Sequence, residues 1–301
     1  MYPAAFRYYR AATLEEAASI LSQAGDEARP LAGGQSLIPL MKLRLVRPAL
    51  LVDLNSIPGL SSIKSEQGVV RIGALARHAQ LADSELSQLI PILHDCAAGI
   101  ADAQVRSRGT IGGSLAEADP SGDWAPVMLA LSAEVRTQNS KQQRTIALAD
   151  FLKDAYTTAL ANGELVREVA VKVPAKNSGG AYIAFKRCAS VYASASAAVQ
   201  LTMADRSTCE QAHIYLGCVG LVPLHATAAE AELRGRELTK ERISAAAEAA
   251  MEAAAPHSDM RGSAEYKKVL VKHVVKKGLE VSLRRSRGEQ VEVSHEYVGR
   301  I

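Results

Sequence analysis

Aromatic side chains are scarce in this sequence: three Phe, one Trp and nine Tyr among 301 residues. The core must therefore come from alanine and aliphatic side chains, and an aromatic residue at the rim of a site stands out. Cysteine is equally sparse. Cys96, Cys188, Cys209 and Cys218 lie far apart with no C-x-x-C pair, which speaks against a locally wired zinc or iron–sulfur site and suits a reducing cytoplasm. Cys188, Cys209 and Cys218 fall in strand-like stretches and read as small core residues. No apolar run reaches the ~18 residues of a membrane span. The first residues, Met1 to Ser19, show neither the basic head nor the apolar centre of a signal peptide. Charge of either sign is not in excess: 35 basic against 32 acidic residues leave +3, which makes no case for nucleic-acid binding. Seven dispersed histidines without metal-type spacing read as surface or turn residues. No G-x-S-x-G elbow, Walker G-x-x-x-x-G-K-[ST] or strand-borne G-x-G-x-x-G occurs, so hydrolase, nucleotidase and nicotinamide sites lack their anchors.

What is present is an orderly alternation of elements over a length that suits two domains or three small ones. Thr13-Leu14-Glu15-Glu16 predicts a capping box. It opens a helix with Leu14, Ala17, Ala18 and Leu21 on one face and Gly25 as its stop. Leu50–Leu54 and Val69–Ala74 predict strands. Residues 84–100 predict helix interrupted or restarted at Pro91. Trp124–Leu131 predicts helix, and Glu134–Thr137 and Leu165–Val173 strands. Pro174 to Gly180 reads as a linker or long loop. Beyond it come strands at Ala181–Arg187, Ala195–Met203 and Gln211–Gly220, one helix over about 228–255, and a last helix from Ala264. This places domain boundaries at 1–176 and 177–285, with a polar tail over 286–301.

Two glycine doublets carry the chemistry. Ala32-Gly33-Gly34-Gln35-Ser36 and Thr110-Ile111-Gly112-Gly113-Ser114 can each turn with positive φ and bring backbone amides close to an anion. Each also suits an ordinary tight turn. Taken as a pair, they could hold the two phosphates of a dinucleotide from opposite sides.

The flanking residues add a resemblance. Ala32-Gly33-Gly34-Gln35-Ser36-Leu37-Ile38-Pro39-Leu40-Met41-Lys42 resembles the first FAD loop of the flavoprotein medium subunits of the molybdenum hydroxylases, the carbon monoxide and xanthine dehydrogenase family. Thr110 through Pro120, followed by Asp123, resembles the second. Gln104-Val105-Arg106 with Arg108-Gly109, and Ser258-Asp259-Met260-Arg261 with Ala264-Glu265-Tyr266, extend the resemblance over nearly the whole chain.

The resemblance implies an α+β fold: a vanillyl-alcohol-oxidase (PCMH-type) FAD-binding domain of two α/β lobes, plus a small C-terminal sheet-and-helix domain. It implies that Ala32, Gly33, Gly34, Gln35 and Ser36, with Gly112, Gly113 and Ser114, hold the pyrophosphate of a non-covalently bound FAD. Thr110 would donate a hydroxyl and Asp123 would accept from ribose or adenine. Leu37, Ile100 and Asp119 would complete the cofactor-binding set. Leu165 would pack on the cofactor, Lys186 would stand near the isoalloxazine as a cation raising its potential, and Tyr192 would cover a flavin face. It further implies a large molybdenum-cofactor subunit and a small subunit with two [2Fe–2S] clusters as partners, electrons passing through FAD to an external acceptor, and no catalytic acid, base, nucleophile or metal in this chain.

Three positions depart from the family pattern: Glu117 where histidine is frequent, Val191 where aspartate precedes the aromatic, and Ser107 where asparagine is common. From Lys267 to Arg287, eight basic residues stand against one glutamate; this reads as a solvated helix face, with an acidic partner subunit as the alternative. Two other function classes fit a chain with these loops: a stand-alone FAD oxidase or dehydrogenase, which would need a larger substrate domain than residues 177–285 offer, and an assembly protein that has lost the flavin, against which the intact glycines argue.

Overall fold

The computed structural model of the chain describes residues 2–188, 190–293 and 296–297. The first lobe is a parallel three-stranded sheet in which Leu50–Asp53 lies between Arg7–Arg10 and Ala28–Leu31. The helix Leu14–Ala24 covers it, because Leu14, Ala17, Ala18 and Leu21 share one apolar face and are all buried. Its start follows the sequence: Thr13 Oγ1 accepts the Glu16 amide at 3.1 Å, and Glu16 reaches back to the Ala12 amide at 2.6 Å. Gly25 closes it at φ +54°.

The second lobe is an antiparallel sheet ordered Ile63–Glu66, Val69–Gly73, Leu165–Lys172, Glu134–Gln138, Gln143–Ala147. Short helices pack on it around Trp124 and Phe151, both fully buried. Pro91 sits in the first turn of Pro91–Gly99, separating it from Leu86–Leu89 as its missing N–H requires.

The C-terminal part is a sheet of Leu224–His225, Cys209–Gly217, Ala195–Met203 and Ser178–Lys186. Helices Thr227–Leu233, Lys240–Ala253 and Ala264–Ser286 pack against it. Two expectations are corrected here. The strand begins at Ser178, so Gly179 and Gly180 belong to it rather than to a linker. A Cβ at Gly179 would collide with the Ser282 carbonyl of the last helix, and one at Gly180 with the Gln200 side chain. These glycines admit close packing; they do not make a turn. The helix expected over 228–255 is two helices, parted by Gly235 at φ +71° and restarted by Thr239, whose hydroxyl accepts the Arg242 amide at 3.2 Å.

Glu296–Tyr297 adds a parallel strand beside Phe185 and Lys186, so part of the expected polar tail joins the sheet; positions 294, 295 and 298–301 of that tail lie outside the described residues. The basic helix is not wholly solvated either. Lys267 is buried on Asp259 at 2.8 Å, and Arg285 grips Asp95 of the second lobe at 2.6 and 2.9 Å. Cys96 and Cys209 are buried and Cys218 is half-buried, whereas Cys188 is exposed, against its reading as a core residue. Among the described residues no helix is long and apolar enough to cross a membrane.

Candidate cofactor cleft

The two glycine segments meet at one wall. The first leaves the strand Ala28–Leu31, turns at Gly34 with φ +72°, and enters the helix Leu37–Lys42. Among the described residues, the amides from Gly33 to Leu37 donate to no protein acceptor; the ladder resumes when Ile38 N meets Gly34 O at 3.0 Å. Five successive free donors make a concave anion nest. Gly33 has no left-handed φ. It is glycine because a Cβ there would run into the Arg108 carbonyl and come within 2.9 Å of Gly109 Cα.

The second segment differs from its expected form. Gly112 and Gly113 do not turn at positive φ; they form the first turn of the helix Ile111–Glu117. Their amides are consumed internally. Ile111 N bonds Ala76 O at 3.1 Å, Gly112 N bonds Ala74 O at 2.9 Å, and Gly113 N bonds Thr110 Oγ1 at 3.1 Å. A Cβ on Gly112 would lie 2.7 Å from Ala74 Cα and O. This wall therefore offers proximity and hydroxyls, Thr110 and Ser114, where the first offers amides.

A polar relay behind the wall fixes the two segments. Asn55 Nδ2 donates to Ala32 O at 3.0 Å, Arg77 Nη2 donates to Asn55 Oδ1 at 2.5 Å, and Arg77 Nη1 donates to Arg108 O. Asp53, bonded by the Tyr8 hydroxyl, accepts the Asn55 amide at 2.9 Å.

Between these segments and the C-terminal part lies a cleft of about 510 Å³, within the usual range for small-molecule sites. Ala32, Gly33, Gly34, Gln35, Ser36 and Leu37 line it from one side, and Thr110, Gly112, Gly113 and Ser114 from the other. Ile100, Asp119, Asp123, Leu165 and Tyr192 complete its walls. Lys186 alone of the anticipated residues does not line it. Fully buried, its ammonium donates to Gly99 O at 2.8 Å and faces Asp123 Oδ1 at 3.4 Å. Asp123, which lines the cleft, also accepts the Tyr182 hydroxyl at 2.7 Å, so the ammonium stands one residue behind the cleft wall, paired with a carboxylate of that wall. Tyr192 stands at the mouth, 46% exposed, with the Arg261 guanidinium 6.0 Å from its ring centre. Arg261 is itself held by Asp259 and by Ser121 Oγ at 2.9 Å.

Glu117 also lines the cleft, and burial, reinforced by Asp119, raises its carboxyl above the usual range. His78 went unrecognised in the sequence. Read there as a surface or turn residue, it is buried, lines the cleft and bonds Trp124 Nε1 at 3.0 Å. No spacing rule could have found it, because its partner is 46 residues away. Elsewhere His213, His225 and Glu230 converge although they are scattered in sequence. There one Glu230 carboxylate oxygen, Oε1, bonds both the Ile214 amide and His225 Nε2, each at 2.8 Å.

Residues 4–176 match the family model for the FAD binding domain in molybdopterin dehydrogenase, and residues 180–281 that for the CO dehydrogenase flavoprotein C-terminal domain. The chain belongs to the FAD-binding medium subunits of the molybdenum hydroxylases. Its relatives include the carbon monoxide dehydrogenase medium chain of Afipia carboxidovorans, 39% identical over 93% of this chain and 97% of that one. The 6-hydroxypseudooxynicotine dehydrogenase complex subunit alpha of Paenarthrobacter nicotinovorans is 38% identical over 98% and 100%. The carbon monoxide dehydrogenase structure from Hydrogenophaga pseudoflava superposes with a TM-score of 0.91 at 38% identity, covering 95% of this chain and 99% of the other. The medium subunit is thus an oxidoreductase flavoprotein subunit whose cofactor is FAD. Its cleft suits that cofactor: free amides on one wall and hydroxyls on the other offer donors to a diphosphate, and the glycines let the two segments approach closely enough to share it.

Proposed function

We propose that this subunit relays electrons from iron–sulfur clusters of a small partner subunit, through FAD, to an external acceptor such as a quinone, NAD or oxygen. Substrate is hydroxylated at the molybdenum cofactor of a large partner subunit, and the assembly works in the cytoplasm. When bound, FAD supplies a carrier able to exchange single electrons with clusters and pairs with an acceptor.

The protein's part is binding, orientation and tuning. Gly33 to Leu37 present amides to the diphosphate, and the Thr110 and Ser114 hydroxyls meet it from the opposite side. Asp123 takes a hydroxyl of the cofactor, Leu165 packs on it, and Tyr192 shields the mouth from water. Lys186 holds Asp123 in an ion pair at 3.4 Å. The observation that carries this reading is the single cleft that gathers both glycine segments, with free amides on one side and hydroxyls on the other. The substrate is not written here: relatives named for carbon monoxide and for 6-hydroxypseudooxynicotine stand at 39% and 38% identity, so likeness in this subunit does not choose between them.

Co-expression with the large and small subunits tests the relay. A yellow complex should form in which substrate reduces the clusters before the flavin, while the isolated FAD-loaded chain stays oxidised in substrate. Turnover by the isolated chain would instead establish a stand-alone flavoenzyme, and a colourless chain that takes up no FAD would end the reading.

A further inference from the structure

The second wall of the cleft spends its amides on the protein, so an anion there must be met by side-chain donors. His78 stands beside that wall. Its backbone amide bonds Gly109 O at 3.1 Å, and Arg77 bridges to Thr110. The indole N–H of Trp124 can only donate, and its acceptor is His78 Nδ1 at 3.0 Å. Nδ1 is therefore the unprotonated nitrogen, and the neutral ring carries its hydrogen on Nε2. Burial favours that neutral ring, lowering its pKa from 6.5 to about 4.

Nε2 lies at Gly109, where a Cβ would come within 2.6 Å of it. It has no protein partner among the described residues. The buried side-chain atoms left without one there are Arg136 Nε and Ser196 Oγ. His78 Nε2 is not among them, so it is not sealed from solvent, and His78 itself lines the cleft.

We propose that His78 is a cofactor-binding residue whose Nε2–H, fixed as a donor by Trp124, hydrogen-bonds the diphosphate of FAD at the second wall. The inference rests on the FAD-binding reading above. It explains why an imidazole is buried there with one nitrogen satisfied and the other left open. Trp124 is the positioning residue: it selects the tautomer, so no proton has to move when the cofactor enters.

The test uses the full chain, stripped of flavin and titrated with FAD, ADP and riboflavin. His78→Phe keeps a ring of similar breadth but no donor. It should weaken FAD and ADP about tenfold or more, as loss of a hydrogen bond to a charged group does, and leave riboflavin unchanged. FAD affinity equal to that of the unsubstituted chain, or an equal loss for riboflavin, would overturn the proposal. If that variant does not fold, ¹⁵N spectra of the unsubstituted protein decide. Nε2 should carry the hydrogen, and its signal should move with FAD and ADP but not with riboflavin. A hydrogen on Nδ1, or a signal indifferent to ADP, would overturn it too. Trp124→Phe should show both tautomers, and a single unchanged one would remove Trp124 from the account. A chain that binds no FAD at all refutes the cofactor reading itself, whereas normal FAD uptake by His78→Phe refutes this inference alone.

Discussion

Replacing Gly33 by alanine should separate the two walls of the cleft without unfolding the protein. The new Cβ would collide with the Arg108 carbonyl oxygen and sit 2.9 Å from both Arg108 C and Gly109 Cα. Carbon–carbon contacts are comfortable at ~3.5–4.0 Å, so the loops must part by roughly 1 Å. The obstacle is backbone and cannot rotate away. Overpacking of this kind costs about 1–3 kcal/mol. The same carbonyl accepts the Arg77 guanidinium, so parting the loops also strains the relay that runs through Asn55 to Ala32. If the cost falls on cofactor affinity, FAD should bind roughly 5- to 150-fold more weakly. Trp124 is the one tryptophan in the chain and touches His78 at the cleft wall, so quenching of its fluorescence reports FAD uptake directly. Urea unfolding of the apoprotein should change by less than the loss in binding free energy. Gly34→Ala is the contrasting variant: its neighbours are flexible side chains at 3.0 and 3.2 Å, but φ is +72°, so its cost is left-handed strain of about 1–2 kcal/mol. Undiminished FAD affinity in Gly33→Ala, or a loss matched fully by destabilised apoprotein, would refute the apposition of the loops as the basis of binding.

Glu117→Gln should tighten FAD on the order of fivefold at neutral pH by removing an anion from the phosphate cleft. In the unsubstituted chain FAD should bind more tightly as pH falls through the raised carboxyl pKa, and titrations across pH should show this slope vanish in the variant. Lys186→Met leaves Asp123 buried against Tyr182 without its cationic partner. It should cost about 3–5 kcal/mol in urea unfolding, with much of the loss recovered in Lys186→Met/Asp123→Asn; unaltered stability would contradict the ion pair. The pH dependence of apoprotein stability should carry the mark of His78, whose pKa falls from 6.5 to about 4 on folding. Between those values the unfolded chain binds the extra proton, so stability is lost as pH drops through the window, by about 3 kcal/mol in all, and urea midpoints at pH 7 and 4.5 should converge in His78→Phe.

The sequence foretold elements well where a local rule decides them. Thr13, Gly25 and Pro91 act within one helical turn, and each does in the structure what its chemistry allows. It failed where the reason for a residue lies across space. Gly112, Gly113, Gly179 and Gly180 look alike in sequence to Gly33 and Gly34. Of these six, Gly34 alone turns at positive φ; at Gly33, Gly112, Gly179 and Gly180 another chain segment occupies the place of a Cβ, and at Gly113 the Thr110 hydroxyl of its own helix cap does. A glycine doublet therefore announces close approach without saying what approaches, and only the family resemblance separated the cofactor loops from the packing pair at 179–180. The same limit hid His78 and the ion pair of Lys186. Both are polar groups whose roles depend on partners distant in sequence, Trp124 for one and Asp123 for the other. The resemblance implied a lysine near the isoalloxazine but not its ion pair, and on that reading the ion pair decides whether the charge acts bare or already offset by a carboxylate. With Asp123 at 3.4 Å, it is offset, so a change in flavin potential on altering Lys186 should be reproduced, with opposite sign, by altering Asp123.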